Sequence, residues 1–157
     1  MAAAGEQPGY WVSVLGEVEG LRWVLKNSRM AFTEAMSSKA GKIRKGDGLV
    51  LYVGRGAFHN PTRDESQLGG VAEVTSEVRR LGRPVEIAGR EFVTVCDLRI
   101  EVVLPERAGV TVRPLVRRLQ VVKRPEVWGQ YFRQGLVSIP ERDFLILEKA
   151  VRSRPRS

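Results

Sequence analysis

Residues 125–151 read PEVWGQYFRQGLVSIPERDFLILEKAV, a stretch that sets an aromatic turn directly before a strongly patterned segment. Apolar residues recur there at the spacing of one helix face, which predicts a packed helix over Pro140 to Val151. Ser138 and Glu141 match a capping box, in which a hydroxyl and a carboxylate satisfy free N–H groups at the helix start. The predicted buried face comprises Phe144, Leu147 and Val151.

The turn before this helix combines flat rings with a guanidinium group. Trp128 and Phe132 lie four residues apart, and Arg133 follows directly. Proteins use such groups to sandwich a base or another flat ligand. The alternative is that both rings pack into the core beneath a loop, because large aromatic side chains mostly serve cores and interfaces.

The length and composition are those of one globular domain. A chain of 157 residues can bury most of its apolar surface without metals or disulfides. Hydrophobic residues make up 43% and charged residues 28%, and no apolar run approaches the ~20 residues that span a bilayer. We expect a single domain over residues 9–151, a disordered leader over residues 1–8, a basic tail over residues 152–157 and no membrane partner.

The charge of the chain favours an anionic partner. The formal net charge is +8 and the isoelectric point is near 10.2. Clustered lysine and arginine attract phosphates and gain affinity by releasing condensed counterions. Arg152, Arg154 and Arg156 supply three of the positive charges, so nonspecific adhesion by a frayed tail is the alternative.

The sequence carries no sign of secretion. The only cysteine, Cys96, excludes an internal disulfide, and its place in an apolar segment predicts a buried thiol. The first eight residues lack a basic stretch followed by an apolar one. We therefore expect a cytoplasmic protein.

Apolar runs and alternation predict more strands than helices. Strands are expected at residues 10–15, 49–53, 68–75, 92–102 and 110–112, with a short helix from Val18 to Asn27 and a helical turn from Pro114 to Leu119. Residues 28–42 show no clear periodicity, residues 54–67 form a long polar loop, and residues 76–90 form a basic connection. Because most strands follow one another, we predict an α+β fold, a small mixed β-barrel flanked by short helices.

The residue types give little support to catalysis. A catalytic metal usually takes three protein ligands from histidine, cysteine or carboxylates, and the only histidine and the only cysteine lie in separate segments. His59, the only histidine that could activate a nucleophile, lies in the polar loop, where a solvated histidine is typical. No glycine-rich phosphate loop with its lysine occurs. We expect a protein that is not an enzyme and that takes no metal and no cofactor.

Several short motifs follow one another across nearly the whole chain. They are Tyr10-Trp11, Lys45-Gly46-Asp47 before a strand that ends in Tyr52, Gly70-Val71-Ala72-Glu73-Val74, the Leu119-to-Gly135 segment with Trp128-Gly129 and Phe132-Arg133, and Ile139-Pro140 with Asp143-Phe144 and Ile146. In this order the chain resembles the EVE-domain family of the PUA-like superfamily, in particular its small stand-alone prokaryotic members. ASCH and YTH domains are related to this family.

The resemblance implies a PUA-like barrel with a surface pocket for a modified nucleobase, because members of the superfamily read RNA or modified DNA. In the related YTH readers, one tryptophan of an aromatic cage follows the first helix. The corresponding residues 27–33 hold no tryptophan, so Phe32 is the nearest substitute and Met30 the alternative. The implied nucleobase contacts are Ser13, Phe32, Thr33, Trp128, Phe132 and Arg133.

The sequence thus predicts a non-catalytic nucleic-acid-binding module that holds a modified nucleobase of RNA or DNA in an aromatic-lined pocket. Single-stranded RNA avoids the cost of flipping a base out of a duplex. Phosphate contacts are expected from Arg117, Arg118, Lys123 and Arg124. The alternative is a small-ligand sensor or a protein-interaction module that binds no nucleic acid.

Overall fold

The structure is a computed structural model and describes residues 7–60 and 64–154. Its strands are β1 Tyr10–Leu15, β2 Arg29–Phe32, β3 Gly48–Val53, β4 Gln67–Val74, β5 Arg79–Ile87, β6 Arg90–Val103, β7 Val110–Thr111 and β8 Leu136–Ser138. Its α-helices are α1 Val18–Asn27, α2 Glu34–Ala40, α3 Gly129–Phe132 and α4 Glu141–Arg152, and short 3-10 helices occupy Arg113–Arg118 and Pro125–Val127. Residues 1–6 of the predicted leader and 155–157 of the predicted tail lie outside the described residues.

The strands form one curved sheet in the order β2-β6-β4-β3-β1-β8, with β5 added to β6 and β7 added to β4. β1 and β3 run parallel, and the other paired strands run antiparallel. The sheet curls into a half-barrel with the short helices around it. The predicted α+β class and mixed β-barrel are therefore confirmed. Among the described residues, no helix combines the length and the apolar character needed to span a membrane.

Alternation along the strands divides the core between the two faces of the sheet. Val12 and Val50 pack on the face covered by α4, whereas Trp11 and Leu49 pack on the face covered by α1. Successive side chains of a strand point to opposite faces, so a strand covered on both faces needs a continuous apolar run. All six residues of β3 are buried, as its sequence predicts.

Strand β4 approaches its neighbour unusually closely at a glycine. A Cβ atom on Gly70 would lie 2.5 Å from the carbonyl oxygen of Val102 on β6. The register between these strands shifts just afterwards, between Val71 and Ala72. The paired glycines of this strand therefore lie beside both a close backbone approach and a register shift.

The closing helix has the predicted buried face, but the predicted capping box is wrong. Ser138 is exposed at the end of β8, where its backbone pairs with Trp11, so it stops short of the helix. Pro140 occupies the N-cap position of α4 and makes no side-chain capping hydrogen bond. The helix also includes Arg152, the first residue of the predicted tail.

Two segments for which the sequence predicts no element are regular. Residues 28–42 contain β2 and α2, and residues 76–90 contain all of β5. β2 has 4 residues and α2 has 7, so neither is long enough to show a clear period. β5 is largely exposed, and hydrogen bonds to β6 define it without an alternating apolar pattern.

The cysteine on β6 is buried, as the sequence predicts. Cys96 is fully inaccessible to solvent. Burial disfavours the thiolate and raises the pKa of the Cys96 thiol from 9.0 to about 12. The thiol is therefore a neutral part of the core at physiological pH.

Candidate functional site

A cavity of about 370 Å³ lies where several parts of the fold meet, and we call it the α1–β2 pocket. Its wall is formed by the end of β1, by residues of α1, β2 and α2, by the turn between β5 and β6 with the start of β6, and by the segment after α3. The volume lies within the range of about 300–1,000 Å³ that is usual for ligand pockets.

Five of the six residues predicted to contact a nucleobase line this pocket. They are Ser13, Phe32, Thr33, Phe132 and Arg133. The sixth, Trp128, lines a neighbouring cavity instead. Phe132 belongs to the hydrophobic core as well as to the pocket wall. The alternative that the ring packs into the core is therefore correct in part.

Two residues of the wall of the α1–β2 pocket carry buried hydroxyl groups. Thr33 precedes α2, and its buried Oγ1 has no hydrogen-bond partner in the described part of the chain. The buried hydroxyl of Ser13 donates to the sulfur of Met30 at 3.3 Å. A thioether is a weak acceptor, so a ligand can take over this hydrogen bond at little cost.

The structure adds pocket residues that the sequence analysis missed. Trp23 of α1 and Phe92 of β6 contribute two further rings, and Met36 of α2 adds an adaptable apolar side chain. Trp23 lies beside the buried stripe of α1 and is only partly buried. A large aromatic residue beside the buried stripe of an amphipathic helix is the sequence pattern that could have predicted the place of Trp23 in the pocket.

A left-handed glycine fixes the segment after α3 against β1. Gly135 has a φ of 81°, and its carbonyl oxygen accepts a hydrogen bond from the backbone N–H of Val14 at 2.7 Å. Residues with a side chain adopt this conformation only with strain. The turn holds Phe132 and Arg133 at the edge of the pocket.

A second cavity, of about 440 Å³, adjoins the first, and we call it the Trp128 pocket. The two cavities share Val14, Phe132 and Arg133 in their walls. Phe132 stacks on Tyr52 with 4.7 Å between ring centroids, and Trp128 meets Phe132 edge-on at 6.3 Å. Burial raises the pKa of the Tyr52 phenol, which keeps it neutral.

The residues predicted to bind phosphate lie on the surface away from both cavities. Arg117, Arg118, Lys123 and Arg124 are exposed, and none of them lines either pocket. Arg124 pairs with Glu126 at 3.3 Å. A backbone hydrogen bond and then Arg124 hold the pKa of Glu126 below its usual value.

Two aspartates from the sequence motifs are buried anchors for the backbone. Asp47 accepts hydrogen bonds from the indole N–H of Trp11 at 2.9 Å and from the backbone N–H groups of Gly9 and Arg44. Asp143 accepts from the backbone N–H groups of Gln120 and Val121, each at 2.8 Å. These motif positions hold the start of β1 and the turn before α3 in place.

Metal-ligating residue types converge once within the described ranges, at Glu17, Glu19 and His59. All three side chains are exposed. His59 Nε2 lies 3.4 Å from a carboxylate oxygen of Glu19 and 3.9 Å from one of Glu17. Exposed acidic groups are often grouped in this way without a metal ion, so the cluster supports no metal assignment.

The chain matches no family model. It is similar to two curated proteins that are named only as members of the UPF0310 group. It is 22% identical over 145 residues to the UPF0310 protein PH1033 of Pyrococcus horikoshii, covering 89% of this chain and 97% of that protein. It is also 22% identical over 143 residues to the UPF0310 protein msl3206 of Mesorhizobium japonicum, covering 90% and 91%.

Solved structures share the fold at low sequence identity. The YTH domain of the Zygosaccharomyces rouxii MRB1 protein, determined in complex with N6-methyladenosine RNA, superposes with a TM-score of 0.64 at 15% identity and covers 99% of this chain and 94% of that chain. The Rpa0253 protein of Rhodopseudomonas palustris gives a TM-score of 0.57 at 18% identity, covering 92% and 93%. The chain therefore has the fold of YTH domains.

Proposed function

We propose that the protein is a non-catalytic RNA-binding module that holds one nucleobase in the α1–β2 pocket, and that it is a member of the EVE-domain family. The observation that carries this proposal is the convergence on one cavity of side chains from distant parts of the sequence, among them Ser13, Phe32, Thr33 and Arg133. A YTH domain of the same fold has been determined with N6-methyladenosine RNA, which adds support.

The pocket has the chemistry that a flat, partly polar ligand needs. Trp23, Phe32 and Phe92 offer aromatic surface, and Thr33 offers a hydroxyl for the polar edge of a base. We infer a preference for a methylated base, because a methyl group adds apolar surface that the methionines of the wall can cover.

The net charge favours a polyanion over a free base. A charge of +8 attracts phosphates without regard to sequence, so the backbone contacts supply affinity and the pocket supplies selectivity. Single-stranded RNA presents its bases already unpaired, whereas duplex DNA must first flip one out at a cost of about a few kcal/mol. Modified DNA remains the second candidate partner.

A binding screen tests this proposal. Nucleosides and short single-stranded RNA and DNA oligonucleotides, each with and without a methylated base, are titrated at two salt concentrations. The parent protein should prefer one modified base at both concentrations, and its affinity for oligonucleotides should fall as salt rises.

Pocket variants give the screen its control. Phe32→Leu and Trp23→Leu should reduce the preference for the modified base, whereas Phe58→Leu makes a comparable change in a partly buried ring that lines neither pocket. Folded pocket variants that keep the full preference would contradict the proposal. Nucleoside binding that is unaffected by salt, with no added affinity for any oligonucleotide, would favour the small-ligand sensor instead.

A further inference from the structure

The wall of the Trp128 pocket contains unpaired arginine side chains as well as the ring of Trp128. Arg55 and Arg133 both line it, and within residues 7–60 and 64–154 neither side chain has a hydrogen-bond or ion-pair partner. Arg113, the third arginine of the wall, is neutralised by Glu65 at 3.1 Å. The side chains of Arg83 and Arg118 likewise have no hydrogen-bond or ion-pair partner within these ranges, but they line neither cavity, so Arg55 and Arg133 are distinguished by their place in a cavity wall.

The Trp128 pocket lies where the neighbouring nucleotide of a bound RNA strand is expected. It shares Val14, Phe132 and Arg133 with the α1–β2 pocket, so the two cavities adjoin at these residues. Arg133 is exposed and lines both cavities, so this residue lies at the boundary between them. A phosphodiester that links two neighbouring nucleotides would cross this boundary.

We propose that the Trp128 pocket is a second nucleotide subsite, which takes the nucleotide adjacent to the base held in the α1–β2 pocket. The base of this second nucleotide lies against Trp128, and Arg55 and Arg133 bind the phosphates on its two sides. Stacking on an indole tolerates every base, so this subsite adds affinity with little sequence selectivity. The inference rests on the proposed function, because it requires a base in the first pocket.

Binding measurements with one and two nucleotides separate the two subsites. The probes are the nucleoside that the parent binds best in the screen and the two dinucleotides that join this nucleoside to uridine at its 5′ or its 3′ side, each with a further phosphate on the far side of the uridine. The parent should bind one dinucleotide at least about tenfold more tightly than the nucleoside, since stacking and phosphate contacts are added.

The variants assign that gain to the second cavity. Arg55→Ala and Trp128→Ala should each remove at least about fivefold of the dinucleotide affinity and leave nucleoside affinity within about twofold. Arg83→Ala removes another exposed arginine, on β5 and outside both cavities, and should leave both affinities unchanged. Arg55 is exposed, so its variant keeps the test decisive even where Trp128→Ala fails to fold.

A cross-link locates the second base directly. The tighter dinucleotide is prepared with 5-iodouridine in place of uridine and irradiated, and the attachment point is mapped by mass spectrometry. Attachment at Trp128 or Tyr52 is the expected result. A parent that binds the nucleoside but neither dinucleotide more tightly would overturn the second subsite alone, whereas a parent that binds no nucleoside and no oligonucleotide would overturn the proposed function as well.

Discussion

The role of the Thr33 hydroxyl in ligand binding can be tested with a single substitution that should leave the stability of the protein unchanged. Oγ1 of Thr33 is buried and unpartnered among the described residues, so Thr33→Val removes no hydrogen bond from the free protein. A hydrogen bond to a bound base contributes about 0.5–1.5 kcal/mol, so the affinity for the preferred nucleoside should fall about 2- to 10-fold. Titration calorimetry measures the affinity, and thermal unfolding should show no loss of stability.

Thr75→Val is the matched control, because Thr75 is exposed and lies outside the pocket. It should change neither the affinity nor the unfolding temperature by a measurable amount. A Thr33→Val protein that binds as tightly as the parent would show that the hydroxyl does not meet the ligand.

The Cys96 thiol should be inert in the folded protein. Its pKa of about 12 leaves roughly one thiol in ten thousand ionised at pH 8, and its burial blocks reagents. Because the folded pKa exceeds the ordinary value of 9.0, the thiol's contribution to stability is complete below pH 9.0 and declines as the pH rises towards 12. Labelling with a thiol reagent should therefore require denaturant, and rapid labelling of the native protein would contradict this burial.

Among the elements, the turn before α3 depends on one carboxylate of α4. Asp143 is fully buried and accepts two backbone hydrogen bonds from Gln120 and Val121. Hydrogen bonds to charged groups contribute about 1.5–3 kcal/mol each, so Asp143→Ala should lower the free energy of unfolding by at least about 2 kcal/mol. Glu148→Ala on the same helix removes only an ion pair with partly exposed Arg152 and should cost less than about 1 kcal/mol. Denaturant unfolding of both variants checks the difference, and equal losses would contradict it.

The start of α4 gives a contrasting prediction. Since Ser138 is exposed in β8 and does not cap the helix, Ser138→Ala should change the unfolding free energy by no more than about 0.5 kcal/mol. Loss of a genuine N-cap would cost about 1 kcal/mol. A loss of that size in denaturant unfolding would restore the capping role.

The elements also show which parts of the fold can be predicted from sequence patterns. The strand β3 and the buried face of α4 follow from apolar patterns alone, because burial selects for those patterns. The sequence does not predict β5, because hydrogen bonds to β6 define this strand and no apolar pattern marks it. The sequence predicts that Ser138 caps α4, but the pairing of β8 with β1 continues through this residue. Five pocket residues could be predicted from the resemblance, but Trp23 and Phe92 belong to the pocket because α1 and β6 pack around the same cavity.

At the scale of the whole molecule, affinity and selectivity should reside on different surfaces. Arg117, Arg118 and Arg124 are exposed and outside both cavities, so their reversal to glutamate should weaken all oligonucleotides alike and reduce the salt slope by roughly one unit per lost phosphate contact. Nucleoside binding should be unchanged. Binding isotherms across a salt series measure the slope.

Removal of residues 153–157 is the companion variant, since it deletes basic charge and leaves α4 complete. It should retain the preference for the modified base. Loss of all binding after this deletion would assign the nucleic-acid contact to the tail and not to the fold.

Amide chemical shifts report directly on whether a base enters the α1–β2 pocket. The ¹⁵N-labelled protein is titrated with a single-stranded RNA that contains one N6-methyladenosine and, separately, with its unmodified counterpart. We expect the backbone amides of Ser13, Thr33 and Gly135 to shift, and to shift further with the modified strand. Shifts confined to residues 117–124 and the C-terminal residues, with the pocket amides unmoved by either strand, would contradict this expectation.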